Sequence, residues 1–158
     1  KNYRIFQKKM KTILQRTVNN ETETKKIVTE FIQILEKLEN FSVFFEGELG
    51  VGKTFFVREL LKQFGVNETV NSPTYTYVQE YSGLKNFAHF DLYRLNSNEE
   101  FLAKGFGEII EDETICKLTE WPNKISEEIL EEFSGKKFWI EIKNGTEKTK
   151  RVIEIKSS

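Results

Sequence analysis

The chain has 158 residues, with 24 Lys and Arg against 25 Asp and Glu and a formal net charge of −1. That balance excludes a global positive field for holding nucleic acid, so any RNA contact must be local or made through a partner. Cys116 is the only cysteine, which excludes a disulfide framework, and with no membrane-length apolar run or signal-peptide core the expectation is a cytoplasmic protein with no membrane association.

Lys1, Arg4, Lys8, Lys9, Lys11 and Arg16 open the chain without an intervening acid. Residues 1–10 read as a basic, poorly ordered N-terminal extension, with a basic arm for RNA as the alternative. Lys11-Thr-Ile-Leu-Gln15 then reads as an opening strand. Asn20 and Glu23 form an N-cap and capping-box pair. Ile27, Phe31, Ile34, Leu35 and Leu38 mark one face of the helix that follows, which ends near Asn40. Phe41-Ser-Val-Phe-Phe-Glu46 is a short apolar run of strand type.

Gly47-Glu48-Leu49-Gly50-Val51-Gly52-Lys53-Thr54 follows at once and satisfies G-x-x-x-x-G-K-[ST], the phosphate-cradling P-loop. Its glycines let the backbone wrap inward so that successive N–H groups meet one anion. Lys53 is placed for the β- and γ-phosphates and the Thr54 hydroxyl for Mg²⁺. Phe56, Val57, Leu60, Leu61 and Phe64 recur at helical spacing up to Gly65, so the loop lies between a strand and a helix N-terminus, as such a site requires. The chain is expected to bind a nucleoside triphosphate.

Ser72-Pro-Thr-Tyr-Thr-Tyr-Val-Gln-Glu-Tyr81, with tyrosines at 75, 77 and 81, reads as a strand paired in a hairpin with Phe87–Asp91. Ser97 and Glu100 open a short helix that stops at Gly105. Thr114–Glu120 is an apolar strand closed by Trp121-Pro122, within which Cys116 reads as a buried structural thiol. Ile125, Ile129 and Leu130 mark another short helix. Phe138–Ile142 and Arg151–Ile155 form a final hairpin around Asn144-Gly145. Alternating strands and helices with hairpins between and after them imply an α/β fold. The expected form is a P-loop NTPase-like three-layer sandwich over residues 11–158, with a mixed, mostly parallel sheet and hairpin additions.

A P-loop needs acids to hold and use its metal, and Asp91 and Glu120 stand at the ends of apolar strands, where such folds face the nucleotide. His89 shares the face of Asp91 and reads as a structural histidine; Arg94 is either a charge-stabilising finger or an ordinary ion pair. Guanine readers need N-K-x-D after a late strand. Asn123-Lys-Ile-Ser126 lacks that carboxylate, which leaves adenine as the default base.

Together these segments resemble the TsaE family of small P-loop ATPases, required in bacteria for threonylcarbamoyladenosine (t6A) modification of certain tRNAs. The P-loop, Asn71-Ser-Pro-Thr-Tyr-Thr76, His89-Phe-Asp-Leu-Tyr-Arg-Leu95 and Glu120-Trp-Pro122 carry the resemblance, in the family's order. It implies that Gly47 to Thr54 and Phe55 contact ATP, with Lys53 on the phosphates and Thr54 and Glu120 on Mg²⁺. Asp91 would be the acid needed for hydrolysis, the Ser72–Thr76 segment a switch-like loop, and Thr24 a neighbour of the adenine. Phe55 departs from the family, which usually has a small hydroxyl residue there. The resemblance further implies a weak, partner-stimulated ATPase that acts on a heterodimer of TsaB and TsaD and meets tRNA only through it. Two other readings stay open: a small nucleotide kinase of thymidylate-kinase type, and a nucleotide-gated binding module without significant turnover.

Overall fold

The computed structural model describes residues 4–158, with side-chain surroundings from Ile5 onward. In chain order the elements are α1 (Arg4–Lys8), β1 (Lys11–Val18), α2 (Glu21–Leu35), β2 (Phe41–Glu46), α3 (Lys53–Gln63), β3 (Val78–Ser82) and β4 (Asn86–Asp91). There follow α4 (Asn98–Ala103), α5 (Phe106–Glu111), β5 (Ile115–Glu120), a 3₁₀ turn (Pro122–Lys124), α6 (Glu127–Glu132), β6 (Lys136–Asn144) and β7 (Arg151–Ser157).

The strands form one sheet in the order β1-β7-β6-β2-β5-β4-β3. Its four central strands run parallel, and antiparallel hairpin pairings extend it at both sides. Phe41 to Phe45 are all buried because β2 is covered on both faces, which is why its sequence is a continuous apolar run rather than an alternating one. On one face α2 and α3 bring Phe31, Phe56, Val57 and Leu60 against Val43, Phe45, Leu118 and Phe138. On the other, Phe6, Phe101, Phe106 and Leu130 meet Phe44, Phe90 and Trp139. The result is the expected α/β three-layer arrangement. Local signals start the helices where expected: the Asn20 side chain accepts from the Glu23 N–H at 2.9 Å, and Ser97 accepts from the Glu100 N–H at 3.1 Å.

At two places the structure departs from the sequence reading. Arg4–Lys8, inside the expected N-terminal extension, form α1, which buries Phe6 edge-on against Phe44 at 5.7 Å and beside Trp139 at 5.9 Å. Residues 1–3 lie outside the described residues. The Ser72–Tyr81 strand begins only at Val78, since the chain first turns, with the Tyr77 N–H bonded to Pro73 O at 2.8 Å and Tyr77 at φ 67°. Tyr75 therefore lies exposed on the turn rather than in an alternating strand. The helix opened by Ser97 ends where expected, α4 closing at Ala103 with Lys104 as its C-cap; Gly105, at φ 81°, then caps the start of α5, whose Phe106 and Ile110 are buried.

Candidate nucleotide site

Parallel pairing puts the C-terminal ends of β2, β4 and β5 side by side, with Asp91 opposite Glu120 and Glu120 opposite Phe45. The glycine loop leaves β2 at this edge. Gly50 at φ 77° and Gly52 at φ 118° occupy left-handed backbone that favours glycine, and α3 begins immediately after, at Lys53. A Cβ on Gly47 would lie 2.5 Å from Ile142 O, so the loop runs hard against the end of β6. Beside Gly50 and Gly52 the direction of a Cβ is open, with nothing within 4 Å. Val51 turns inward and is buried, which anchors the loop to the core.

Lys53 folds back over this loop. Its ammonium donates to Gly47 O at 2.5 Å and Glu48 O at 2.9 Å and lies 4.2 Å from the centre of the Trp121 ring. Burial lowers its pKa from the usual lysine value, while the nearby carboxylates of Glu120 and Asp91 act in the opposite direction.

The two acids converge on the same place. Thr54 donates its hydroxyl to Glu120 Oε1 at 2.9 Å and Oε2 at 3.1 Å. His89 lies 2.6 Å from the same Oε2 through Nε2. Asp91 accepts the Tyr93 N–H at 3.1 Å on one oxygen and the Ser72 hydroxyl on the other. Leu49, Gly50, Gly52, Lys53, Thr54, Asp91 and Glu120 thus border one recess of about 310 Å³. Among the described residues no group of three or more His, Cys, Asp and Glu could hold a metal ion. Thr54 and Glu120 offer two hard oxygens, a donor set suited to a Mg²⁺ that keeps most of its water.

Gly50 and Gly52 also border a neighbouring cleft of about 600 Å³, and Thr24, Val51 and half-buried Phe55 line it. Gly47, Glu48 and Leu49 face a third hollow on the far side of the loop, together with Trp121. The residues expected to contact nucleotide, phosphate or metal therefore all lie on one of three adjoining recesses around the loop, whereas His89 is buried behind them and lines none.

Several contacts were not legible in advance. Ser72 reaches Asp91 only because the Pro73 turn folds back. Trp121, at φ 60°, lies over Lys53 and 4.9 Å from Tyr93. Lys148 and Arg151 enter the Thr24 cleft from the β6–β7 hairpin, Arg151 donating to Val51 O at 3.1 Å; nothing local in their sequence marks them. Of the two arginines near the motifs, Arg58 is bonded to Val70 O at 3.2 Å, whereas Arg94 borders the recess and stacks on Tyr75 at 4.9 Å.

Known proteins resemble the chain over most of its length. The family model described as "Threonylcarbamoyl adenosine biosynthesis protein TsaE" matches residues 18–153. The chain is 44% identical over 108 residues to the tRNA threonylcarbamoyladenosine biosynthesis protein TsaE of Rickettsia conorii, a match covering 66% of this chain and 59% of that protein. The Rickettsia felis protein of the same name is 45% identical over 107 residues, with 60% of its length covered, so the match spans about three fifths of these relatives. The Bacillus subtilis TsaE is 36% identical over 124 residues, covering 78% of this chain and 75% of that one. A crystal structure titled Bacillus subtilus YdiB superposes with a TM-score of 0.70 at 26% identity, covering 94% of this chain and 86% of the other. The chain belongs to the TsaE family.

Proposed function

We propose that this chain is a Mg²⁺-dependent ATP-binding protein and weak ATPase that serves tRNA threonylcarbamoyladenosine synthesis by acting on a TsaB–TsaD-type heterodimer. The family membership supports the pathway, and one observation carries the chemistry. The Thr54 hydroxyl and the Glu120 carboxylate meet at 2.9 Å beside the N-terminus of α3, in a recess that also holds Lys53 and Asp91. The open space beside Gly50 and Gly52, which a Cβ would fill, fits a phosphate cradled by backbone N–H groups.

In this reading Lys53 leaves the loop carbonyls to pair with phosphate oxygens, and Thr54 and Glu120 hold the cation. When bound, Mg²⁺ supplies positive charge against the phosphate oxygens. Asp91 orients and accepts a proton from the attacking water. Its oxygen is shared with the Ser72 hydroxyl, so movement of the Ser72–Thr76 turn frees it. The Thr24 and Phe55 cleft takes the adenine. Phe55 offers an aromatic face there where the family usually has a hydroxyl, with its backbone N–H still available to phosphate.

The test is calorimetry with ATP, with and without Mg²⁺, beside phosphate release. The parent protein is expected to bind and to turn over slowly, and Lys53→Ala to lose most of its affinity. Unchanged affinity in Lys53→Ala overturns the phosphate site. Diphosphate formation that depends on an added nucleoside monophosphate indicates a kinase instead, and binding with no phosphate release indicates a gated module.

A further inference from the structure

We propose that His89 is a positioning residue that orients the Glu120 carboxylate toward Thr54, an inference resting on the metal role given above to those two residues. His89 is fully buried on β4, two residues before Asp91 and on the same face. Parallel pairing places Asp91 beside Glu120, and the imidazole reaches across to Glu120 Oε2 at 2.6 Å.

A carboxylate oxygen only accepts, so the bond places a ring hydrogen on Nε2. Nδ1 has no hydrogen-bond partner among the described residues. A histidine kept for packing alone gains nothing from burying such an atom; an aliphatic side chain fills the same volume without it. The Nε2 bond accounts for its presence. Oε2 is pinned by His89 and also accepts from Thr54 at 3.1 Å, which fixes the carboxylate plane and presents Oε1 to the Thr54 hydroxyl at 2.9 Å. Partners that orient a metal-holding group in this way change metal affinity by about ten- to hundredfold when removed.

The chain contains one histidine, so its ring can be observed without assignment. A ¹⁵N–¹H correlation spectrum of the parent protein is expected to show hydrogen on Nε2. A ring bare at Nε2 overturns the proposal, and this measurement depends neither on nucleotide nor on the folding of a variant. The second arm compares His89→Leu with His89→Gln, whose amide can donate from near the Nε2 position. Metal-free ADP affinity is expected to be unchanged in both. The strengthening of ADP binding by Mg²⁺ is expected to fall about ten- to hundredfold in His89→Leu and to recover in His89→Gln. Parent-like Mg²⁺ dependence in His89→Leu overturns the positioning role while leaving the ATP site intact. A parent protein that binds no nucleotide overturns the ATP reading and this inference together.

Discussion

Lys117 lies in the N-terminal half of β5, three residues before Glu120, and is fully buried. Its ammonium reaches Ile115 O and Ser134 Oγ at 2.5 Å, Asp112 O at 3.0 Å and Asn40 Oδ1 at 3.3 Å, which ties three loops together. Burial lowers its pKa from 10.5 to about 8. Between those values the unfolded chain keeps a proton that the folded chain has released, so stability rises with pH there, approaching about 1.4 kcal/mol per pH unit. Cys116 acts with the opposite sign, because burial raises its thiol pKa and favours the unfolded state as pH climbs past the free thiol's range. Subtracting a Lys117→Met variant isolates the lysine. Urea unfolding is expected to show a gain of about 1–2 kcal/mol from pH 8 to 9.5 in the parent relative to that variant. Equal pH slopes in the two proteins refute this assignment. Asp91 poses a separate residue-scale question. Asp91→Asn keeps an acceptor for the Tyr93 N–H and is expected to melt near the parent temperature while losing about 10²–10⁴ in phosphate release, as for loss of a general base. Release at the parent rate would remove Asp91 from the proposed chemistry.

Among the elements, α1 and the 72–77 turn departed from the sequence reading for the same reason. Each is held by distant contacts rather than by its own periodicity. α1 has only five residues, too few for a stable isolated helix, and it stays because Phe6 enters the aromatic group of Phe44 and Trp139 while Gln7 donates to Glu46 at 3.2 Å. Phe6→Ala is therefore expected to loosen α1 and expose Trp139. In a Trp121→Phe background this appears as a red-shifted fluorescence, with a loss of about 1–3 kcal/mol in unfolding free energy, less than for a central phenylalanine because a terminal segment can detach alone. An unshifted spectrum places α1 elsewhere. Tyr77 shows the same dependence: its hydroxyl donates to Glu100 at 2.9 Å, a residue of α4 that no local pattern links to the turn.

At the scale of the molecule, the parallel centre of the sheet delivers β2, β4 and β5 to one edge, where Lys53 and Arg94 are the cations bordering the recess of Asp91 and Glu120 among the described residues. Arg58 is occupied by Val70 O, and Arg94 stacks on exposed Tyr75 at the rim of the recess. On the proposed ATPase reading the isolated protein is expected to hydrolyse ATP slowly. A TsaB–TsaD heterodimer, by moving the Tyr75 turn or adding a cation, is expected to accelerate it; an arginine finger alone is worth about 10³–10⁵ in rate. Steady-state phosphate release with and without the heterodimer, then with tRNA, checks this. Fast turnover by the lone protein, indifferent to the heterodimer, refutes the gating while sparing the site.

The sequence by itself determined the glycine loop, the strand before it and the helix after it, because glycine spacing, apolar runs and caps act over a few residues. It also marked Lys53, Thr54, Asp91 and Glu120 as candidates, since each stands at a strand end or helix start that local patterning locates. Tertiary structure alone decided that Thr54 meets Glu120 across 66 positions, that His89 serves Glu120 across 31, and that Ser72 closes on Asp91 across 19. Those pairings follow from the β4–β5 register and from the path of the Pro73 turn. Both are fixed by burial of Phe90, Leu118 and their neighbours rather than by any signal carried near the pairing residues themselves.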